Sequence, residues 1–195
     1  MAESGYLLIL QQNPPKKHFL HPPVTHLPTI HTEAALREKE HDAFTAFLKT
    51  MNEAQVDAAV HALAASYEAQ IDCTACGNCC RSLMINVSTD EADALSDHLA
   101  MQRSDFDQTY LEKGIGDTML MNTIPCHFLT ENRCSVYEHR FAGCREFPGL
   151  HLPGISARLF SVFMHYGRCP IVFNVLNALK TKMGFVFTDG NAKTN

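Results

Sequence analysis

The chain lacks long apolar runs, an excess of basic residues and the glycine-rich motifs of nucleotide-binding proteins. No apolar stretch approaches the roughly 18 residues that a membrane span needs, so we expect no membrane association. The formal net charge of -5 argues against a general phosphate-binding surface, and we expect no nucleic-acid partner. Neither GxGxxG nor GxxxxGKS/T occurs, so no motif indicates nucleotide-dependent catalysis.

A secretory signal is also not indicated. The apolar run from Tyr6 to Leu10 is too short for a signal core, and Glu3 is the only charged side chain before it. We therefore expect a cytoplasmic protein, where thiols are kept reduced and cysteines more often bind metal than form disulfides.

What the chain does have is cysteine, and four of its eight cysteines fall within residues 73–80. In a CxxC step, a tight turn brings two sulfurs to one side, where they can bind one ion or cluster. The run Cys73-x-x-Cys76-x-x-Cys79 repeats that step and predicts three converging thiolates. Gly77 fits such a turn because glycine readily adopts positive φ.

The neighbouring Cys80 needs a separate interpretation. Adjacent side chains in an extended segment point to opposite sides, so Cys79 and Cys80 are not expected to share one site without strain. Either Cys80 serves a second site, or it packs as a small apolar residue.

The remaining cysteines come one at a time, and all eight are candidate metal ligands: Cys73, Cys76, Cys79, Cys80, Cys126, Cys134, Cys144 and Cys169. Eight thiolates divide naturally into two tetrads, and four cysteines suffice for Zn²⁺ or for an iron–sulfur cluster. A disulfide framework and buried or redox thiols are the alternatives.

The rest of the pattern predicts a mostly α protein with little β structure. We expect a small single domain of helices around a cysteine-ligated metal centre with long irregular loops. The expected divisions are a proline- and histidine-rich arm (1–31), a helical segment (32–69), the cysteine-cluster domain (70–184) and a tail (185–195).

Several helix boundaries can be predicted from local signals. A helix is expected from Thr32, and a capping-box pattern at residues 50–53 opens either a second helix or the second half of a kinked one. Another capping box at residues 88–91 predicts a helix to about Met101, with Ala94, Leu95 and Leu99 buried. A short helix is expected from Ser104 to Lys113, and a last one from Pro170 to a stop at Gly184.

A turn signal at Glu131-Asn132 predicts a hairpin within residues 126–134. Because Cys126 and Cys134 flank this turn, the hairpin would set their sulfurs side by side. A short strand is expected within residues 83–87.

At this point the sequence resembles a known family. The matching segments are Cys73-x-x-Cys76-Gly77-x-Cys79-Cys80, Pro125-Cys126-x-Phe128-Leu129, Cys134-Ser135-Val136-Tyr137-Glu138, Cys144-Arg145-x-Phe147-Pro148 and Cys169-Pro170. They resemble the CxxCxxCC cysteine-cluster family, also called the YkgJ family, whose proposed role is to chelate zinc or iron. His127 and Phe141 stand where that family has proline, and His127 could add a nitrogen ligand.

The resemblance and the residues leave three functions open. The first is a zinc- or iron-binding module, and the second is an iron–sulfur redox protein with Cys73, Cys76, Cys79 and a distal cysteine such as Cys169 as ligands. The third is a cluster-dependent enzyme resembling the flagellin lysine methylases, with Glu138, Glu146 or His139 as acid–base candidates. The native metal, the number of centres and any protein partner are left open.

Four arginines stand directly beside cysteines: Arg81, Arg133, Arg145 and Arg168. They either compensate thiolate charge or solvate the rim of a cysteine-rich knot.

Overall fold

The computed structural model describes residues 22–116 and 118–188. Most of the expected arm (residues 1–21) and the end of the expected tail (residues 189–195) lie outside this range. Of the described residues, 56% are helical and 7% lie in strands, which confirms the mostly α prediction.

The described helices are α1 (Leu27–Leu36), α2 (Glu38–Leu48), α3 (Glu53–Glu68), α4 (Cys73–Cys76), α5 (Thr89–His98), α6 (Arg103–Tyr110), α7 (Ala142–Glu146), α8 (Ile155–Met164) and α9 (Pro170–Lys182). Two 3₁₀ turns lie at Cys79–Arg81 and Tyr137–His139. The strands are β1 (Asn86–Val87), β2 (Leu111–Lys113), β3 (Met119–Met121), β4 (Leu129–Thr130) and β5 (Arg133–Cys134).

The first helix begins at Leu27, five residues before the expected start at Thr32. Pro28 does not prevent it, because proline is tolerated in the first turn, where its missing N–H has no helical partner. The next two helices are separate rather than one kinked helix. The cap of α3 is Asn52, whose side chain accepts a hydrogen bond from the Gln55 N–H at 3.1 Å, so the capping box expected at Thr50 is wrong.

A first hydrophobic core is built by α1, α2, α3, α8 and α9. The predicted apolar face of α3 is buried, and so is the face of α9 that carries Val172, Leu176 and Leu179. Leu36, at the end of α1, lies outside this core and is 79% exposed. The last helix ends near Gly184, which has φ of 69° as expected for a helix stop.

Phe185 continues this core beyond the predicted stop. Its ring centroid lies 4.9 Å from that of Phe44 and 5.3 Å from that of Phe47. The chain therefore still packs on the helices where the tail was expected to begin.

Helix α8 has no counterpart in the sequence-based prediction. Its first two backbone N–H groups, at Gly154 and Ile155, donate to the Asp57 carboxylate at 2.8 and 2.9 Å. These bonds hold the pKa of Asp57 below its usual value. Because the capping residue belongs to α3, this helix start rests on a tertiary contact.

A second, smaller core lies under α5, α6 and an antiparallel sheet of order β1-β3-β2. The capping box at Ser88 and Glu91 is confirmed, but Ala94 is exposed rather than buried. The helix expected to reach Lys113 ends at Tyr110, because the chain continues as β2 and pairs Leu111 with Met121.

The hairpin predicted between Cys126 and Cys134 is present. Strands β4 and β5 pair Leu129 with Cys134, and the turn residues Glu131 and Asn132 have φ of 49° and 69°. Within the described ranges, no helix has both the length and the apolar character of a membrane span.

Candidate metal centre

The cysteine loop, residues 73–80, follows the long helix α3 and begins with the single helical turn α4. Asp72 caps this turn, and its carboxylate accepts the Thr74 N–H at 2.8 Å. Cys73 and Cys76 are three residues apart in the turn and therefore lie on the same face. Gly77 then takes a left-handed conformation with φ of 60°, as the sequence predicted, and reverses the chain toward Cys79.

The loop packs directly against the β4–β5 hairpin. A Cβ atom on Gly77 would lie only 2.7 Å from the backbone oxygen of Asn132 and 3.1 Å from Leu129 Cδ1. Glycine is thus required for two reasons, its positive φ and the close approach of two backbones. This contact brings the strand that carries Cys134 against the loop.

Backbone and side-chain bonds place three further cysteines around the loop. The Cys126 N–H donates to the Cys80 carbonyl at 2.8 Å. Cys144 lies in α7, whose first N–H, at Ala142, donates to the Glu91 carboxylate. Together with Cys134, these cysteines pack against the second core.

Cys169 approaches the loop from the other core. The Asn78 side-chain amide donates to the Arg168 carbonyl at 2.7 Å and so ties the loop to the residue before Cys169. Cys169 itself is only 7% exposed and precedes the first turn of α9.

All eight cysteines line one cavity of about 390 Å³, and all eight are free thiols. The structure therefore brings all eight predicted cysteine ligands to one place, from segments almost 100 residues apart. In the described part of the chain, however, no three His, Cys, Asp or Glu side chains converge closely enough to hold an ion. Soft thiolates suit zinc and iron, so the donors fit these metals in kind, and coordination requires the side chains to turn further into the cavity.

Cys79 and Cys80 lie at the centre of this arrangement, with their Sγ atoms 4.0 Å apart. The hydrogen bond between them stabilises one thiolate, which lowers the pKa of Cys79 to about 6 and raises the pKa of Cys80. Deprotonation of one sulfur therefore opposes deprotonation of the other.

Most of the other thiols are harder to ionise. Desolvation raises the pKa of Cys73 to about 11 and the pKa values of Cys144 and Cys169 to about 12. Desolvation also raises the pKa of Cys126, and neighbouring sulfurs add to the shift. Metal binding at these residues would therefore release protons.

The neighbouring sulfurs that add to these shifts fall into two sets. Cys76 and Cys79 act on Cys73, and Cys73 and Cys79 act on Cys169. On the other side, Cys126 and Cys134 act on both Cys80 and Cys144. Cys79 also acts on members of the second set, which agrees with its central position.

Three of the four arginines beside cysteines bind backbone oxygens around the cavity. Arg81 donates to the Cys76 carbonyl at 3.4 Å and to the Asn132 side chain, and Arg168 donates to the Ser82 carbonyl at 3.1 Å. Arg145 donates to the Arg140 carbonyl, and Arg133 is exposed. Arg140, which does not adjoin a cysteine in the sequence, opposes part of the rise that desolvation causes in the pKa of Cys144.

Of the acid–base candidates from the sequence, one lines the cavity and two do not. Glu146 lines it, whereas Glu138 and His139 do not. His139 stacks on His98 with ring centroids 3.6 Å apart. His165 lies edge-on to Phe147, and burial lowers its pKa.

His127 was expected as a possible nitrogen ligand, but it lies outside the cavity lining, and its Nε2 is 2.7 Å from Asn122 Oδ1. His151 does line the cavity and was missed, because no motif or periodicity marks it. The apolar wall that includes Phe147 and Ile171 was also not anticipated as part of the site.

Fold and site together define a helical protein with a cavity lined by eight cysteines. Residues 72–165 match the model of the CxxCxxCC family, described as a putative zinc- or iron-chelating domain. The match confirms the resemblance seen in the sequence and includes seven of the cysteines, while Cys169 lies four residues beyond it. No curated protein and no solved structure matches the chain.

Proposed function

We propose that this protein binds zinc or iron through its eight cysteines. The observation that carries the proposal is that all eight, which are free thiols, line one cavity. The cysteines within residues 73–80 are close together because they are neighbours in the sequence. Sequence proximity does not explain why four distant cysteines line the same cavity: Cys126, Cys134, Cys144 and Cys169. The family description supports the same chemistry.

The ligands we propose are the thiolates of Cys73, Cys76, Cys79, Cys80, Cys126, Cys134, Cys144 and Cys169. A bound metal would supply a cross-link between segments that few other contacts join, and structural zinc sites contribute folding free energy in this way. The chain's own contribution is to hold the loops in register through the arginine donors and to exclude water with the apolar wall.

A second candidate is an iron–sulfur redox function. The observation that favours it is the bond from Asn78 to the Arg168 carbonyl, which holds the Cys169-Pro170 segment against the CxxCxxC loop. Three closely spaced cysteines with a remote Cys-Pro resemble ferredoxin-type ligation. A cytoplasmic location fits either candidate, since free thiols persist in a reducing compartment.

Metal analysis distinguishes the two. We expect full-length protein purified without oxygen, and without an affinity tag that binds metal, to contain zinc or iron in stoichiometric amount. Iron with acid-labile sulfide and a broad visible absorption would support the redox candidate, and colourless protein with zinc would support a structural or regulatory site. Protein that neither contains nor binds either metal stoichiometrically would refute the proposal.

A further inference from the structure

The peptide that joins Cys79 and Cys80 is the point at which the cysteine cluster can be divided into two groups, and we call these two residues the junction cysteines. Three cysteines of the loop, Cys73, Cys76 and Cys79, are spaced by two residues and line the cavity together with Cys169. Cys169 belongs to the first hydrophobic core. The loop is tied to it by the Asn78 bond to the Arg168 carbonyl at 2.7 Å.

The other four cysteines have a different structural environment. Cys126, Cys134 and Cys144 all pack against the second core. Cys80 is joined to them by its carbonyl, which accepts the Cys126 N–H at 2.8 Å. These contacts suggest a division of the eight proposed ligands into two sets of four, each with one member of the Cys79-Cys80 pair.

We infer that the protein holds two metal centres, one at Cys73, Cys76, Cys79 and Cys169 and one at Cys80, Cys126, Cys134 and Cys144, which are neighbours across the Cys79-Cys80 peptide. This inference rests on the proposed function. Cys79 and Cys80 lie in a 3₁₀ turn, not in the extended segment expected from the sequence, and this accounts for the short distance between their sulfurs.

The 4.0 Å separation of the two Sγ atoms limits the distance between the centres. With metal–sulfur bonds of about 2.3 Å on each side, two ions bound to Cys79 and Cys80 lie within about 9 Å of each other. Two centres this close interact electrostatically and, when paramagnetic, magnetically. Loss of either junction cysteine removes a ligand from only one set while disturbing the position of the other.

The test uses Co²⁺ as a paramagnetic probe, added without oxygen to the full-length metal-free protein. We expect two equivalents to bind, with the visible bands of tetrahedral thiolate-bound Co²⁺. The electron paramagnetic resonance spectrum at two equivalents should show broadening or faster relaxation from coupling between the two ions.

Matched variants assign the ligands. Cys169→Ser and Cys79→Ser should each retain one equivalent, bound by the second set, while Cys144→Ser and Cys80→Ser should each retain one bound by the first set. Their spectra should lack the coupling, and far-UV circular dichroism identifies any variant that fails to fold.

The wild-type results need no variant and are sufficient to overturn the inference. Binding that saturates at one equivalent refutes two centres, and so does a folded Cys169→Ser or Cys144→Ser protein that still binds two. A two-equivalent spectrum equal to the sum of the single-centre spectra refutes the close spacing. Each of these results leaves metal binding itself intact, whereas an absence of stoichiometric binding refutes the proposed function.

Discussion

Replacing Gly77 with alanine tests the contact between the cysteine loop and the hairpin. An alanine in the left-handed conformation of Gly77 costs about 1–2 kcal/mol. Its Cβ would also lie 2.7 Å from the Asn132 oxygen, and the backbone shift that relieves such an overlap typically costs about 1–3 kcal/mol more. We therefore expect Gly77→Ala to lose about 2–5 kcal/mol of unfolding free energy.

Gly184 provides a matched control in the same chain. Its φ of 69° resembles the 60° of Gly77, but a Cβ there would meet no atom within 4 Å. Gly184→Ala should therefore lose only the conformational part, about 1–2 kcal/mol. The difference between the two variants isolates the close approach of the two backbones.

Denaturant unfolding of both variants in the same metal-loaded state measures this difference. We also expect Gly77→Ala to bind metal more weakly, since a shifted hairpin moves Cys134 relative to the loop, while Gly184→Ala binds as the wild type does. Equal losses of stability in the two variants, within about 0.5 kcal/mol, would mean that the contact at Asn132 does not constrain the site.

Two further predictions concern the two cores. Removal of metal by a chelator should speed amide exchange in α5, α6 and the sheet far more than in α3 and α9, because among the described residues the second core has nine buried apolar side chains and the first has 22. Uniform exchange, measured by mass spectrometry, would contradict this. In the first core, the Lys180 side chain is 7% exposed, and its Nζ lies 2.9 Å from the Glu40 carboxylate. The Glu40 side chain is 18% exposed and also lies 3.6 Å from the Arg37 guanidinium. Glu40→Ala should therefore lower the free energy of unfolding by about 3 kcal/mol, because it leaves the buried Lys180 charge unpaired. Lys180→Met should lower it by about 1 kcal/mol or less. Thermal or denaturant unfolding measures both, and the reverse order would refute the reasoning.

Features that depend on neighbouring residues could be predicted from the sequence. The capping box at Ser88 and Glu91, the turn at Glu131-Asn132 and the helix that begins at Pro170 all rest on local signals, and the structure contains all three. Gly77 adopts the positive φ that its place between cysteines suggested. These are cases in which the side chain and the backbone groups it satisfies lie within a few residues.

Features that depend on distant residues could not be predicted. Helix α8 was missed because its cap, Asp57, lies 97 residues before Gly154 in the chain. Local signals predict helix for Leu111–Lys113, but this segment pairs with β3. The tertiary contact overrides the local propensity. The candidate site shows the same limit. The sequence marks all eight cysteines as candidate ligands, but it does not reveal that Cys169 packs in the first core while Cys126, Cys134 and Cys144 pack against the second.

The cysteine loop lies between the two hydrophobic cores and contacts segments that belong to each of them. The loop leaves the first core at the end of α3, and Asn78 binds it to the segment that leads into α9 of the same core. Through Gly77 and the Cys80 carbonyl, it also contacts the hairpin and the Cys126 segment, which pack on the second core. A metal bound to one set of four cysteines would stiffen one of these connections, while metals on both sets would fix the cores relative to each other. With a metal on each of the two proposed sets, the adjacency of Cys79 and Cys80 would couple the sets, because a rearrangement of either set would move the backbone that carries the other.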